Sequence, residues 1–236
     1  MNDQGVHMSV RTADIHGNPY IGVFCRLVGD TALIPQEASP EFVELVRGTL
    51  GVRPVRSSLG GTNLHGSLIA ANSKGMVAPY FFSKEEIEKA YKEADMVDFL
   101  EDYRIEISED PMTSWGNNLL LSEGKALVNP DIKIETIRLV EDALDVEIVA
   151  GDLAEAKTPG SVACMNSKGM VVHPKSTEEE RDQLSDLFGV DVQISTANFG
   201  SPYLGASILA NDNGALIGNK SSGVEINRIE STLDLI

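Results

Sequence analysis

The sequence lacks the features of disulfide-stabilised, secreted and membrane-spanning proteins. Only two cysteines, Cys25 and Cys164, occur in 236 residues. This is too few for a disulfide framework and favours a reducing, cytoplasmic setting. No stretch approaches the roughly 18 consecutive apolar residues of a membrane-spanning helix. The stretch 1–17 has no apolar segment of the kind that a secretory signal carries. The chain is long enough to bury a sizeable core as a globular protein.

Basic residues are scarce relative to acidic ones. The sequence has 19 lysines and arginines against 36 aspartates and glutamates, a net charge of -17. Such a charge repels nucleic-acid backbones over long range. The simplest interpretation is solubility, or a salty or hot habitat. The alternative is a basic protein partner, with nucleic acid touched only locally.

The sequence also lacks the motifs of metal and nucleotide sites. The four histidines have no close pair at metal-ligand spacing, and there is no CxxC, no Walker loop and no GxGxxG. We therefore expect no metal and no cofactor. His65 and His173 are interpreted as structural or surface residues.

What the sequence does contain is a repeat. Five segments share a polar turn, three or four apolar residues, and then proline or glycine: GDTALIP (29–35), SKGMVAP (73–79), EGKALVNP (123–130), SKGMVVHP (167–174) and DNGALIG (212–218). Thr31, Gly75, Lys125, Gly169 and Gly214 hold the same place, at spacings of 44, 50, 44 and 45 residues. A repeat of this period predicts supersecondary units that pack against their neighbours.

The context of each segment predicts a unit of strand, turn, strand, helix and strand. Apolar runs before the turns (21–27, 64–71, 118–121, 161–165, 204–210) predict hairpins. Helical apolar spacing follows in 41–50, 133–144 and 178–188. Ser39, Ser83 and Ser176 are candidate N-caps, and Gly51 and Gly189 stand where left-handed C-caps are expected. Strands are then predicted over 52–55, 146–149 and 190–194.

The chain ends predict that the row of units closes into a ring. Unit five stops in a predicted helix, 224–233, while the predicted N-terminal strand, 6–14, precedes unit one and alternates apolar and polar residues over 6–12. This N-terminal strand is expected to complete unit five. The prediction is one α/β domain over 1–236, a five-fold propeller with units of about 17–60, 61–115, 116–158, 159–200 and 201–236. Extra acidic sequence over 95–110 accounts for the spacing of 50.

The cysteines and the single tryptophan are interpreted as core residues. GVFC (22–25) and SVAC (161–164) are predicted to occupy one repeat position in an apolar strand, where a small buried residue is the simplest interpretation. A catalytic thiol is the alternative. Trp115 is assigned to the core in preference to a binding hot spot.

The loops before the units are candidate docking residues. They read GNP (17–19), GGTN (60–63), WGNN (115–118), TPGS (158–161) and NFGSP (198–202). Asparagine and glycine are ordinary turn formers. In a closed ring, however, these loops would lie at equivalent places on one face, where small polar residues suit docking against another macromolecule.

The motifs NSKGMVAP, GKALVNP, NSKGMVVHP with KSTEEERDQLSDLFGV, and TANFGS followed by ILANDNGALIG resemble the translation initiation factor 6 family, in its archaeal form. The resemblance runs from about residue 15 to the C-terminus. It implies the pentein fold, a five-fold α/β propeller. It also implies binding to the large ribosomal subunit, exclusion of the small subunit, and a role in late large-subunit maturation.

The resemblance further implies the partners and the site. The expected partners are an L14-type ribosomal protein and nearby rRNA of the sarcin–ricin loop, with no membrane, for a cytoplasmic monomer. Asn117 matches an asparagine of the family's ribosome-facing loop, whereas Asn63 and Ser67 replace basic residues of the eukaryotic members. The expected ribosome-binding residues are Asn63, Ser67, Asn117, Asn198, Gly200, Ser201, Leu233 and Leu235.

Two other function classes remain open from the sequence. Other penteins modify guanidino groups with a nucleophilic cysteine near the C-terminus. No cysteine follows Cys164 here, so we predict that the chain is not an enzyme. A generic protein-binding scaffold is the third possibility, because repeat folds host many functions.

Overall fold

The computed structural model describes residues 9–235 and contains five small three-stranded sheets. In each sheet the first strand of the unit runs antiparallel to the second, and the second pairs in parallel with the third. A short helical turn precedes the first strand, and a longer helix connects the second strand to the third. The five-fold α/β propeller implied by the pentein resemblance is therefore present.

The units have the following elements, in chain order after strand β1 (Val10–Ala13). Unit one has α1 (Ile21–Phe24), β2 (Arg26–Val28), β3 (Thr31–Pro35), α2 (Pro40–Leu50) and β4 (Arg53–Ser57). Unit two has α3 (His65–Leu68), β5 (Ala70–Ala71), β6 (Gly75–Pro79), α4 (Lys84–Glu93), a 3-10 turn (Val97–Leu100) and β7 (Arg104–Ser108). Unit three has α5 (Trp115–Asn118), β8 (Leu119–Leu121), β9 (Lys125–Val128), α6 (Ile134–Leu144) and β10 (Glu147–Ala150). Unit four has α7 (Pro159–Val162), β11 (Ala163–Met165), β12 (Gly169–Val172), α8 (Glu178–Phe188) and β13 (Asp191–Ile194). Unit five has α9 (Leu204–Ser207), β14 (Ile208–Ala210), β15 (Ala215–Gly218) and α10 (Gly223–Thr232).

The helix ends follow their capping residues. The Ser39 and Ser83 side chains accept hydrogen bonds from backbone N–H groups of the first helical turn, as predicted. Gly51 and Gly189 are left-handed C-caps, with φ of 66° and 73°. The N-cap of α8 is Thr177, not Ser176, because Glu180 completes a capping box with Thr177.

Two of the predicted elements differ from the structure. The apolar runs before the hairpins begin as helical turns, so the predicted first strands are shorter than expected. The extra sequence over 95–110 is not all insertion, because it contains β7, the third strand of unit two. The added segment is the 3-10 turn, where Phe99 stacks on Tyr91 at a ring-centroid distance of 5.1 Å. The 3-10 turn thereby packs Phe99 and Leu100 against the core of unit two.

The N-terminal strand closes the ring. β1 pairs in parallel with β15, with Val10 opposite Ala215 and Ala13 opposite Gly218. The first part of the predicted strand, 6–8, lies outside the described residues. The five helical turns also contact one another in sequence, and α9 contacts α1. Both the sheets and the axial turns therefore join unit five to unit one.

A glycine in the second position of each helical turn allows this contact. These glycines are Gly22, Gly66, Gly116, Gly160 and Gly205. A Cβ on any of them would lie within 3.0 Å of the backbone carbonyl of the corresponding glycine in the preceding unit. The backbones around the axis thus touch directly, which only glycine permits.

Candidate docking surface

The strand directions give the propeller two faces. The second and third strands of each unit run in parallel, so the segments that follow both strands lie at the same end. We call this end the loop face, formed by the loops before the helical turns and by the loops after the second strands. The hairpin turns between the first and second strands form the opposite end, the hairpin face.

At the centre of the loop face, the helical turns bring Ser67 and Asn117 to equivalent positions. Each follows the axial glycine of its unit, and α3 contacts α5 directly. Both side chains are half-buried. The structure therefore places these two predicted residues close together around the axis.

Asn63 and Asn198 lie farther out on the loop face and connect neighbouring units. The Asn63 Nδ2 donates to Glu37 of unit one at 2.6 Å. The Asn198 Nδ2 donates to the Pro19 carbonyl at 3.1 Å. Both side chains thus hold loops of adjacent units in register, which is a structural role beside any binding role.

Gly200 and Ser201 belong to a loop that Glu225 holds. The Glu225 carboxylate accepts hydrogen bonds from the Gly200 N–H at 2.8 Å and from the Thr196 hydroxyl at 2.7 Å. It also accepts from the Ser222 N–H at 2.7 Å. Burial alone would raise the pKa of Glu225, but these hydrogen bonds outweigh it and lower the pKa to about 2. The charged carboxylate therefore fixes the shape of this loop.

Five of the ten exposed large apolar side chains among the described residues lie on one sector of the loop face, together with the half-buried Tyr20. We call them the apolar arc: Tyr20 of unit one, Leu64, Tyr80 and Phe81 of unit two, and Phe199 and Tyr203 of unit five. Phe199 is 85% exposed, Tyr80 55% and Tyr203 52%. The Tyr20 hydroxyl donates to the Ser201 hydroxyl at 3.4 Å, across the junction of units five and one. Because these three units are neighbours in the ring, the arc occupies one side of the face.

The loops before the helical turns of units two and five carry no charge, whereas the loop of unit one, beneath Tyr20, contains Asp14. Residues 57–64 and 196–203 contain no aspartate, glutamate, lysine or arginine. The corresponding loops of units three and four contain Glu109, Asp110, Asp152, Glu155 and Lys157. In a chain of net charge -17, two uncharged loops beside exposed aromatic rings have the composition of an interface core. Sequence reasoning missed the arc, because its six residues come from distant segments.

Leu233 and Leu235 do not lie on this surface. They are 0% and 5% exposed and pack in the core of unit five with Ile229 and Val10. The Leu233 carbonyl accepts a hydrogen bond from Asn166 at the hairpin face. Their side chains pack in the core and are not available as contact residues, contrary to the prediction. Ile236 lies outside the described residues.

The predicted loops are not all equivalent. GNP, GGTN and NFGSP precede their helical turns, whereas WGNN is the helical turn α5 itself and TPGS includes the start of α7. The shared feature is the axial glycine, which the five sequences IGVF, HGSL, WGNN, PGSV and LGAS all carry in second place. This signal was present in the sequence. Trp115 is fully buried, as predicted.

The two cysteines do not share a repeat position. The carbonyls of Cys25 and Ala163 make equivalent contacts at the axis, so these two residues share a repeat position. Cys164 is one residue later in its unit and corresponds to Arg26 of unit one. Burial raises the pKa of both thiols, that of Cys164 to about 12. Both are therefore protonated at neutral pH, and poor nucleophiles.

Histidines and acidic groups give no sign of a metal centre. His65 is fully buried in α3, and its Nε2 lies 3.0 Å from the Ser57 carbonyl. Among residues 9–235, no three histidine, cysteine, aspartate or glutamate side chains converge closely enough to hold a metal ion. No helix within that range is long and apolar enough to cross a membrane.

Comparison with known proteins identifies relatives along nearly the whole chain. The model of the eIF-6 family matches residues 10–232. Translation initiation factor 6 of Methanosarcina mazei is 34% identical over 227 residues, which cover 96% of this chain and 99% of that protein. Proteins of the same name from Thermococcus onnurineus and Pyrococcus horikoshii are 32% and 33% identical, covering 97% of this chain and 100% of each relative.

Among solved structures, this chain superposes on a variant of dimethylarginine dimethylaminohydrolase that forms an adduct with S-methyl-L-thiocitrulline. The TM-score is 0.48 and the sequence identity is 10%. The superposition covers 74% of this chain and 68% of that one.

Proposed function

Because the chain belongs to the eIF-6 family, whose archaeal members are named as translation initiation factors, we propose that it binds the large ribosomal subunit through its loop face and thereby prevents the small subunit from joining. The proposed mechanism is steric and needs no catalytic group. The protein acts in the cytoplasm as a monomer. It also takes part in late maturation of the large subunit.

The apolar arc carries the proposal that the main contact is with a protein. Exposed Phe199 and Tyr203 beside uncharged loops suit the apolar core of a protein interface. The strongly acidic remainder of the chain disfavours extensive contact with rRNA phosphates. These features support an L14-type ribosomal protein as the principal partner, with sarcin–ricin rRNA at the margin.

The polar residues would position the complex. Asn117 and Ser67 at the axis can exchange hydrogen bonds with a partner without requiring buried charge. Asn63, Asn198, Gly200 and Ser201 border the arc and present small polar groups beside it. We propose that the apolar arc contributes most of the affinity and that these residues determine the orientation.

The test is sedimentation of purified ribosomal subunits with the protein, at a magnesium concentration that permits joining. We expect the wild-type protein to travel with the large subunit and to reduce the joined peak. Tyr203→Asp and Asn117→Lys should each weaken binding about tenfold or more, because each places a charge against a desolvated contact. Their thermal unfolding should stay close to that of the wild type.

Val97→Asp is the matched control. Val97 is 46% exposed, on the added segment of unit two and away from the loop face. This variant should bind the large subunit as the wild type does. Equal binding of all three variants would contradict docking through the loop face, and absence of the wild-type protein from the large-subunit fractions would contradict the proposed function itself.

A further inference from the structure

A cavity of about 470 Å³ occupies the centre of the propeller on the hairpin side. Gly22, Gly160 and Gly205 of the helical turns form its floor. Its walls are the first strands of the units, and the hairpin turns surround its mouth. It therefore opens on the face opposite the proposed docking surface. Its size is that of ordinary small-molecule pockets.

Apolar side chains of the first strands line part of the cavity wall, beside polar groups of the hairpin turns. Leu27, Leu121, Met165, Phe188 and Ile208 are among the residues that line it. Such a lining favours the hydrocarbon part of a ligand over a fully hydrated one.

A cationic side chain, Arg26, also lines the cavity. Arg26 lies in β2. The equivalent residues of the other units, four positions after the axial glycine, are Ala70, Leu120, Cys164 and Leu209. Its guanidinium donates a hydrogen bond to the Gly66 carbonyl and lies beside Gly116, so it reaches the axis of the ring. The repeat does not require an arginine here, since the other four units fill the place with uncharged residues.

The Arg26 guanidinium has unused hydrogen-bonding capacity. Its Nε is buried and has no hydrogen-bond partner among residues 9–235. Within the same range, no carboxylate lies within salt-bridge distance of it. Burial without a counter-ion lowers the pKa of Arg26 to about 10. A buried guanidinium without an anion is costly, and a ligand carboxylate would remove that cost.

We infer that the central cavity binds a small organic acid, whose carboxylate pairs with Arg26 and whose apolar body packs on the first strands. The mouth restricts the charge of the ligand. Glu123 and Asp212 stand there, hydrogen-bonded to Ser73 and Ser167. Their negative charge repels a multiply charged anion such as phosphate more strongly than a single carboxylate.

The test follows the Nε–H resonance of Arg26 in the full-length, 15N-arginine-labelled protein during titration with hexanoate at constant ionic strength. The resonance is assigned from its absence in Arg26→Met. We expect a saturable shift with hexanoate, and binding of the uncharged hexanamide that is about tenfold or more weaker, because a charged hydrogen bond is lost. The Nε–H of Arg53, which pairs with Asp30 at the surface, should show no saturable shift.

Three results would overturn the inference: no saturable shift with hexanoate, equal affinity for hexanoate and hexanamide, or tighter binding of inorganic phosphate than of hexanoate. Retention of hexanoate affinity by Arg26→Met, measured by isothermal titration calorimetry because this variant lacks the Nε–H, would also overturn it. If Arg26→Met does not fold, Arg26→Lys replaces it for the assignment, and the comparison of hexanoate with hexanamide on the wild-type protein still decides the question.

Discussion

Single glutamates connect helix starts to the loops that shape the loop face. Glu86, Glu180 and Glu225 each stand at the third position of a helix and complete a capping box. Each also accepts a hydrogen bond from a backbone N–H of the loop before its unit's helical turn, at Gly60, Ala154 and Gly200 respectively. Unit three reverses the arrangement, since Thr136 donates from the helix to Asp110 in the loop at 2.7 Å. In each of these units, one side chain thus stabilises both the start of the helix and the loop on the loop face.

Glu225→Gln should therefore destabilise the protein in a pH-dependent way. The folded-state pKa of Glu225 is about 2, below its ordinary value of 4.5. The carboxylate's contribution is complete above about pH 4.5 and is lost as the pH falls towards 2. At pH 7 we expect a loss of about 1–3 kcal/mol in the free energy of unfolding, measured by denaturant titration.

The difference between Glu225→Gln and the wild type should shrink steadily between pH 5 and about pH 2. Glu179→Gln is the control, because Glu179 is exposed in the first turn of α8 and makes no side-chain hydrogen bond within the described residues. It should cost a few tenths of a kcal/mol, about the value of a charge near a helix start. A pH-independent difference for Glu225→Gln would contradict the assignment.

At the scale of elements, the four-residue helical turns determine how closely the units approach the axis. Each turn contacts the next through backbone atoms, so a side chain at the axial glycine has no space. The hairpin turns make a second set of contacts between units. Asn72, Asn166 and Asn211 donate to the last carbonyls of the neighbouring units' helices, at Leu144, Leu233 and Leu50. Adjacent units are thus joined at both faces.

Gly205→Ala should destabilise the ring strongly. The added Cβ would fall within 3.0 Å of the carbonyls of Gly160 and Ala163, and both obstacles are backbone. Overpacking that must move backbone costs about 3 kcal/mol or more. The measurement is the free energy of unfolding in urea.

Gly48→Ala is the matched substitution. Gly48 lies exposed in α2, with nothing within 4 Å of an added Cβ. Alanine should stabilise the protein there by about 0.5–1 kcal/mol, because a helical glycine loses more backbone entropy on folding. Similar stability of the two variants would show that the axial turns can separate at little cost.

At the scale of the whole molecule, β1 makes the ring continuous. It is the third strand of a sheet whose other strands lie some 200 residues later, and Val10 is buried in the core of unit five. Since each unit packs only on its neighbours, a row with one open junction would expose two unit surfaces. Closure makes the five cores mutually dependent.

Val10→Asp should therefore weaken all five units and not only unit five. A carboxylate in that core should lower the free energy of unfolding by about 3 kcal/mol or more. Amide hydrogen exchange should show reduced protection in units one and four as well. Arg11→Gln, at an exposed position of the same strand, should leave exchange unchanged. Loss of protection confined to unit five would contradict the cooperative ring.

The sequence alone determined the five-fold repeat, the helices and their glycine C-caps, the N-terminal strand in unit five and the family. These depend on local spacing and on turn residues, which a linear pattern records. It misplaced the Cys25 equivalence by one residue, because aligned runs do not reveal where a strand begins. It assigned the cap of α8 to Ser176 in place of Thr177, because the pairing of Thr177 with Glu180 in a capping box was overlooked. Only the tertiary structure decided which residues share a surface. The apolar arc, the burial of Leu233 and Leu235, and the Arg26 guanidinium in the central cavity all result from ring closure, which brings distant segments together.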